Sequence, residues 1–186
     1  MRFIHTADIH LGASPDAGSA YSQRRAEELW NSLERLVKVC EEEQVDLLLI
    51  AGDLFHRQPL LRELKEVDYL FSQLTHTKIV FIAGNHDYLK PSSYYLTYQW
   101  KSQVYPLLEQ TMGFVEFEEL GTSVYGFSYG QKEIREALYT DAFPQKKQPV
   151  EILIAHGGDE KHIPIQRNNI MNLGYDYVAL GHIHRP

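Results

Sequence analysis

Short apolar runs alternate along the chain with longer segments in which apolar residues recur every three or four positions. Residues 2–6 read as a strand. Across 21–43, Leu29, Leu33, Leu36, Val37 and Cys40 fall at helical spacing and predict a helix with one apolar face. Segments 46–51 (DLLLIA) and 78–83 (KIVFIA) are nearly unbroken apolar runs, the pattern of strands buried on both faces. Between them, Leu64, Val67, Tyr69, Leu70 and Phe71 form an apolar stripe that predicts a helix over 62–74. An aromatic-rich segment, 92–108, follows Pro91 and predicts a further helix. Strands are expected at 114–117 and 124–127, a short helix near 132–138, and strands at 150–155 and 175–180. No internal repeat or linker divides the chain. Strand alternating with helix places it in the α/β class.

The ends of the apolar runs carry the chemistry. They terminate in Asp8-Ile9-His10, Gly52-Asp53, Gly84-Asn85-His86-Asp87, His156-Gly157-Gly158 and Gly181-His182-Ile183-His184. Carboxyl ends of strands are where α/β sheets build their sites. Asp8, His10, Asp53, Asn85, His156, His182 and His184 offer carboxylate, imidazole and amide oxygen but no thiolate. That donor set suits manganese, iron or zinc. Seven ligands exceed the needs of one ion that must also bind substrate. They fit two cations about 3.5–4 Å apart that share a bridging carboxylate and clamp a phosphoryl group.

Composition narrows the picture in two places. With 18 Lys and Arg against 25 Asp and Glu, the net charge is −7, whereas proteins that hold nucleic acid by neutralising phosphates are usually basic. A nucleic-acid reading must therefore rest on bound cations, a local basic patch or protein outside this chain. The single cysteine, Cys40, excludes a disulfide framework and suits a reducing compartment. No apolar run approaches the ~18 residues of a membrane span, and MRFIHTAD lacks the apolar core of a signal peptide. The chain reads as cytoplasmic, with no membrane partner. His76 and His162 sit in polar contexts and are expected to be solvated, and His5 to be a core or supporting residue.

The ordered set D-x-H, G-D, G-N-H-D, His and G-H-x-H resembles the calcineurin-like metallophosphoesterases across essentially the whole chain. HTADIHLG, AGDLFH and FIAGNHDY are most similar to the SbcD-type DNA repair nucleases, whose partner is a coiled-coil SbcC-type ATPase. The resemblance implies a four-layer α/β/β/α sandwich and two divalent cations, Mn²⁺ foremost with Fe or Zn as alternatives. It assigns Asp8, His10 and His184 to the first ion, Asn85, His156 and His182 to the second, and Asp53 to both. It places His86 by the substrate as the acid for the leaving oxygen, and His56 on the phosphate. It further implies DNA as substrate, cleaved by exo- or endonuclease action in double-strand-break repair, and a homodimer formed through the 62–74 and 92–108 helices.

Two departures stand out. The run Arg57-Gln58-Pro59-Leu60-Leu61 is shorter and more apolar than the family's DNA-contacting loop. The chain also ends two residues after His184, where the family continues into capping and ATPase-binding parts, so 1–186 is expected to be the N-terminal phosphoesterase domain of a longer protein. A phosphodiesterase or phosphatase acting on small nucleotides or phosphoproteins is the competing enzyme. A non-catalytic scaffold predicts eroded ligands, and here all seven ligands and His86 are intact.

Overall fold

The computed structural model describes residues 1–14, 18 and 21–184. Two four-stranded sheets lie at its centre. In the first, β1 (Phe3–Thr6), β2 (Leu47–Ala51), β3 (Lys78–Ile82) and β4 (Val104–Pro106) are neighbours in that order and all parallel. In the second, β5 (Gly113–Phe117) pairs antiparallel with β6 (Thr122–Gly126), which is parallel to β7 (Val150–His156), itself parallel to β8 (Tyr177–Gly181).

Side chains alternate across a strand, and β2 shows why its sequence is apolar throughout. Leu47, Leu49 and Ala51 point into the space between the sheets, against Val124, Ile152, Ile154 and Ala179. Leu48 and Ile50 point the other way, onto Leu33, Val37 and Cys40 of α1 (Ser22–Glu42) and Leu64, Val67 and Phe71 of α2 (Leu61–Phe71). All five β2 side chains are fully buried, and each such Leu or Ile contributes about 1.5–3 kcal/mol relative to an exposed one. The outer face of the second sheet presents Tyr125, Leu153 and Ala155 to Tyr139, Ile163, Ile170 and Leu173. α3 (Arg167–Met171) covers part of that face. The sandwich is as expected, with loops making up most of its fourth layer. Among the described residues no helix is long and apolar enough to cross a membrane.

Three local expectations need correction. Segment 92–108 is not a helix: a 3-10 turn at Tyr94–Leu96 leads through bends into β4. The cause is Asp68 of α2, whose carboxylate accepts from the backbone N–H groups of Lys101 and Ser102, the Ser102 hydroxyl and the Tyr98 hydroxyl. Amides captured by a carboxylate are lost to the helical ladder. The expected two-helix dimer face is therefore one helix beside a loop. Residues 132–138 are likewise not helical; Ile134 bridges to His162, with its N–H on the Lys161 carbonyl. α3 and β4 have no counterpart in the sequence pattern, being five and three residues long.

Candidate metal centre

Because β1, β2 and β3 are parallel, and β7 is parallel to β8, the carboxyl ends within each group emerge on one edge. The two sheets meet there directly: His156, the last residue of β7, sets its Nδ1 2.8 Å from the Ala51 carbonyl at the end of β2. Close approach is built into the glycines. A methyl on Gly84 would overlap Asp53, side chain and backbone nitrogen alike, and one on Gly181 would overlap the Ala51 carbonyl. The backbone is also strained at the site. Asp8, His10, Asp53 and His182 hold φ of 55°, 52°, 50° and 97°, values rare outside glycine and concentrated at functional positions.

His156 is fully buried. A carbonyl can only accept, so Nδ1 carries the proton toward Ala51 and neutral Nε2 carries a lone pair. That lone pair faces Asn85 Oδ1 at 3.0 Å and Asp53 Oδ2 at 3.5 Å. Three electron-rich atoms converge in a buried place that a proton on Nε2 or a cation would satisfy, and the donor set fits a divalent metal. On its other side Asp53 Oδ2 lies 3.7 Å from His10 Nε2, while Oδ1 accepts the His86 N–H at 2.9 Å. Asp53 thus aims one oxygen at two separate groups of ligands. His10 Nε2 lies 3.4 Å from His184 Nε2, and His184 Nε2 3.1 Å from Asp8 Oδ1. That Asp8 oxygen is buried without a hydrogen bond, a second orphan a cation would satisfy.

Burial and neighbouring charges set the protonation states at the site. Burial, opposed by Asp53 and aided by His86, pushes His10 down to about 4 and keeps it neutral. Burial works to raise Asp53 and to lower His156, but a proton shared between them outweighs it, holding the carboxyl below its ordinary value and the imidazole above its own; a cation between them would take that proton's place. Asp87, with burial and the Asp53 charge acting on it, is pushed up to about 7. It accepts from the Phe55 and Gly84 amides and the Tyr95 hydroxyl, clamping the turn that presents Asn85 and His86.

His56 and His86 stand at the mouth. A cleft of about 450 Å³ is lined by Asp8, His10, His56, His86 and His184. His86 Nδ1 meets the His56 carbonyl at 3.1 Å, which leaves its Nε2 for chemistry. The two rings lie 4.7 Å apart, and His86 is 4.8 Å from His10. Arg57, next in sequence, is committed to Glu63 through bonds of 2.7 and 3.1 Å. Gln58 Nε2 reaches the Tyr88 carbonyl, so this loop is braced internally.

His182 is placed differently from the other six. Its backbone N–H donates to Asp8 Oδ2 at 2.9 Å, but its Nε2 lies 2.7 Å from Asp159 Oδ2. Asp159 also meets His162 Nδ1 at 2.9 Å. Burial opposes ionisation of Asp159, but His182, His162 and the Lys161 amide hold its carboxyl far below the usual range. The expectation of a solvated His162 is thus corrected, and His76 too is paired, 2.7 Å from Asp46. His5 is half-buried on the Tyr177 hydroxyl, as a supporting residue would be. Asp159 escaped the sequence reading; its i,i+3 spacing to His162 is the one local signal. Tyr139 and Tyr129, which hold the His156 N–H and carbonyl, left no pattern at all.

The family model described as calcineurin-like phosphoesterase matches residues 1–186. The chain belongs to that family. Calcineurin-like phosphoesterases are metal-dependent and use a dinuclear centre, which is what the two ligand groups around Asp53 would hold. Among relatives, the uncharacterized metallophosphoesterase YhaO of Bacillus subtilis is 29% identical over 205 residues, covering 100% of this chain and 49% of the relative. The DNA double-strand break repair protein Mre11 of Methanopyrus kandleri is 27% identical over 215 residues, covering 100% of this chain and 45% of that protein. This calcineurin-like phosphoesterase therefore spans about half the length of these relatives. The crystal structure of Pseudomonas putida nuclease MPE aligns at 20% identity with a TM-score of 0.36, covering 81% of this chain and 58% of that one.

Proposed function

We propose that this phosphoesterase hydrolyses phosphodiester bonds with two divalent cations, Mn²⁺ foremost, and that DNA is its substrate. The observation that carries the hydrolytic reading is the position of Asp53 Oδ2, 3.7 Å from His10 and 3.5 Å from His156, beneath a cleft lined by His56 and His86. Asp8, His10 and His184 would hold one ion, and Asn85, His156 and His182 the other. Bound there, the cations lower the pKa of water toward neutrality and neutralise charge developing on phosphate. His86, its Nδ1 tied to the His56 carbonyl, offers Nε2–H of the imidazolium to the leaving oxygen as the phosphorus–oxygen bond breaks. His56 steadies a non-bridging phosphate oxygen.

DNA is supported by the similarity to a protein named for double-strand break repair, and a role in that repair follows in the proposal. So do an SbcC-type ATPase partner and a homodimer. Leu61 and Tyr69 of α2, with Tyr94 and Leu96 of the following loop, are exposed and available for a second copy. The acidic balance favours a second reading, a phosphodiesterase on small nucleotides. The test compares bis-p-nitrophenyl phosphate with p-nitrophenyl phosphate in Mn²⁺, with a chelator control. A chelator-sensitive preference for the diester, followed by cleavage of labelled duplex, is the expected result. Preference for the monoester would overturn the reading.

A further inference from the structure

Asp159 lies in the loop after β7, outside the seven expected ligands, yet its carboxylate is the most heavily bonded group beside the centre. Oδ1 accepts the backbone N–H of Lys161 at 2.8 Å and of His162 at 3.0 Å. His162 Nδ1 lies 2.9 Å from both carboxylate oxygens. The loop itself is tied down: Gly157 N–H reaches the Gly181 carbonyl, Gly158 N–H the His162 carbonyl, and Ile163 N–H the Ile134 carbonyl. The carboxylate is therefore fixed by its own loop, and it directs Oδ2 at His182 Nε2, 2.7 Å away.

Resting on the dinuclear reading, we infer that Asp159 is a positioning residue for the second metal, fixing the His182 ring and its tautomer. An ionised carboxylate only accepts, so Nε2 carries the proton and Nδ1 of the neutral imidazole carries the lone pair. This mirrors His156, where a carbonyl holds the proton on Nδ1 and frees Nε2. The alternative reading of the cluster Asp159–His162–His182 is an ion site of its own, since its ligand atoms lie close together. Its separations argue against that. Two ligands 2.0–2.1 Å from a tetrahedral ion sit about 3.3 Å apart, whereas these contacts are 2.7 and 2.9 Å, lengths of charge-assisted hydrogen bonds.

The experiment titrates Mn²⁺ into the wild-type chain, Asp159→Ala and Asp159→Asn by calorimetry, with thermal unfolding of each in chelator. The wild type takes two ions. Asp159→Ala keeps the tighter ion and binds the second about 10–100-fold more weakly, with an unfolding midpoint in chelator like that of wild type. Asp159→Asn, still able to accept one bond, falls between. Diester hydrolysis by the alanine variant recovers at high Mn²⁺, so the metal requirement moves and turnover at saturation does not. Wild-type affinity for both ions in Asp159→Ala would overturn the inference. So would equal weakening of both ions with a lowered midpoint, or loss of a third ion with the first two intact. A wild type that binds fewer than two ions would instead sink the dinuclear reading beneath it.

Discussion

At the scale of single residues, two histidines that each turn Nδ1 to a backbone carbonyl differ in burial and in proposed duty. His156 is buried and immobilised against the Ala51 carbonyl, as a ligand would be; His86 is half-buried at the mouth with Nε2 free. Their removal should therefore have different consequences. His86→Ala is expected to keep both ions while losing about 10²–10⁴-fold in turnover. Asp53→Ala should lose metal and turnover together, because one carboxylate serves both groups of ligands. Metal content of the purified variants beside diester hydrolysis distinguishes the two, and wild-type turnover in His86→Ala would remove it as the acid. The seven proposed ligands stand out in the sequence because each follows a buried run and four of the five clusters include a glycine that permits close approach. Asp159 was not, since its partner His182 is 23 residues away and joined to it only by the fold.

At the scale of elements, long periodic segments were read well and aromatic ones poorly. α1, β2, α2 and β3 lie within about three residues of expectation, since unbroken or strictly periodic apolar runs leave few alternatives. Segment 92–108 was misread because Tyr95, Tyr98 and Trp100 at near-helical spacing also satisfy a loop that wraps over Phe55, Phe71 and Phe81. The deciding group, Asp68, lies on another element. Asp68→Ala would strand two backbone amides and two hydroxyls, and should destabilise the fold by about 1–3 kcal/mol or more. Burial works to raise Asp68, but its bonds from Ser102, Lys101 and Tyr98 outweigh it and hold the carboxyl below its ordinary value. Its contribution is thus complete above the unfolded carboxylate pKa of about 4 and is lost as pH falls through the folded value. Urea midpoints of wild type and variant should differ most near neutrality and converge in acid; a gap that widens in acid would contradict this.

At the scale of the whole molecule, charge and chemistry point in different directions, and the proposed centre reconciles them. A chain of net charge −7 meets a polyanion poorly by its surface alone. Two divalent cations add four positive charges at the one place where the carboxyl ends of both sheets converge. That convergence is set by topology: parallel strands in each sheet bring Asp8, Asp53, Asn85, His156 and His184 together from four loops and a strand end. The class and layers of the fold were readable in the sequence; the closeness of the two edges at Ala51 and His156 was not. Anomalous diffraction from crystals grown with Mn²⁺ tests that centre most directly. Two peaks about 3.5–4 Å apart, one beside His10 and His184 and one beside Asn85 and His156, with Asp53 between them, are predicted. A single peak, or a pair that does not share Asp53, would contradict the account.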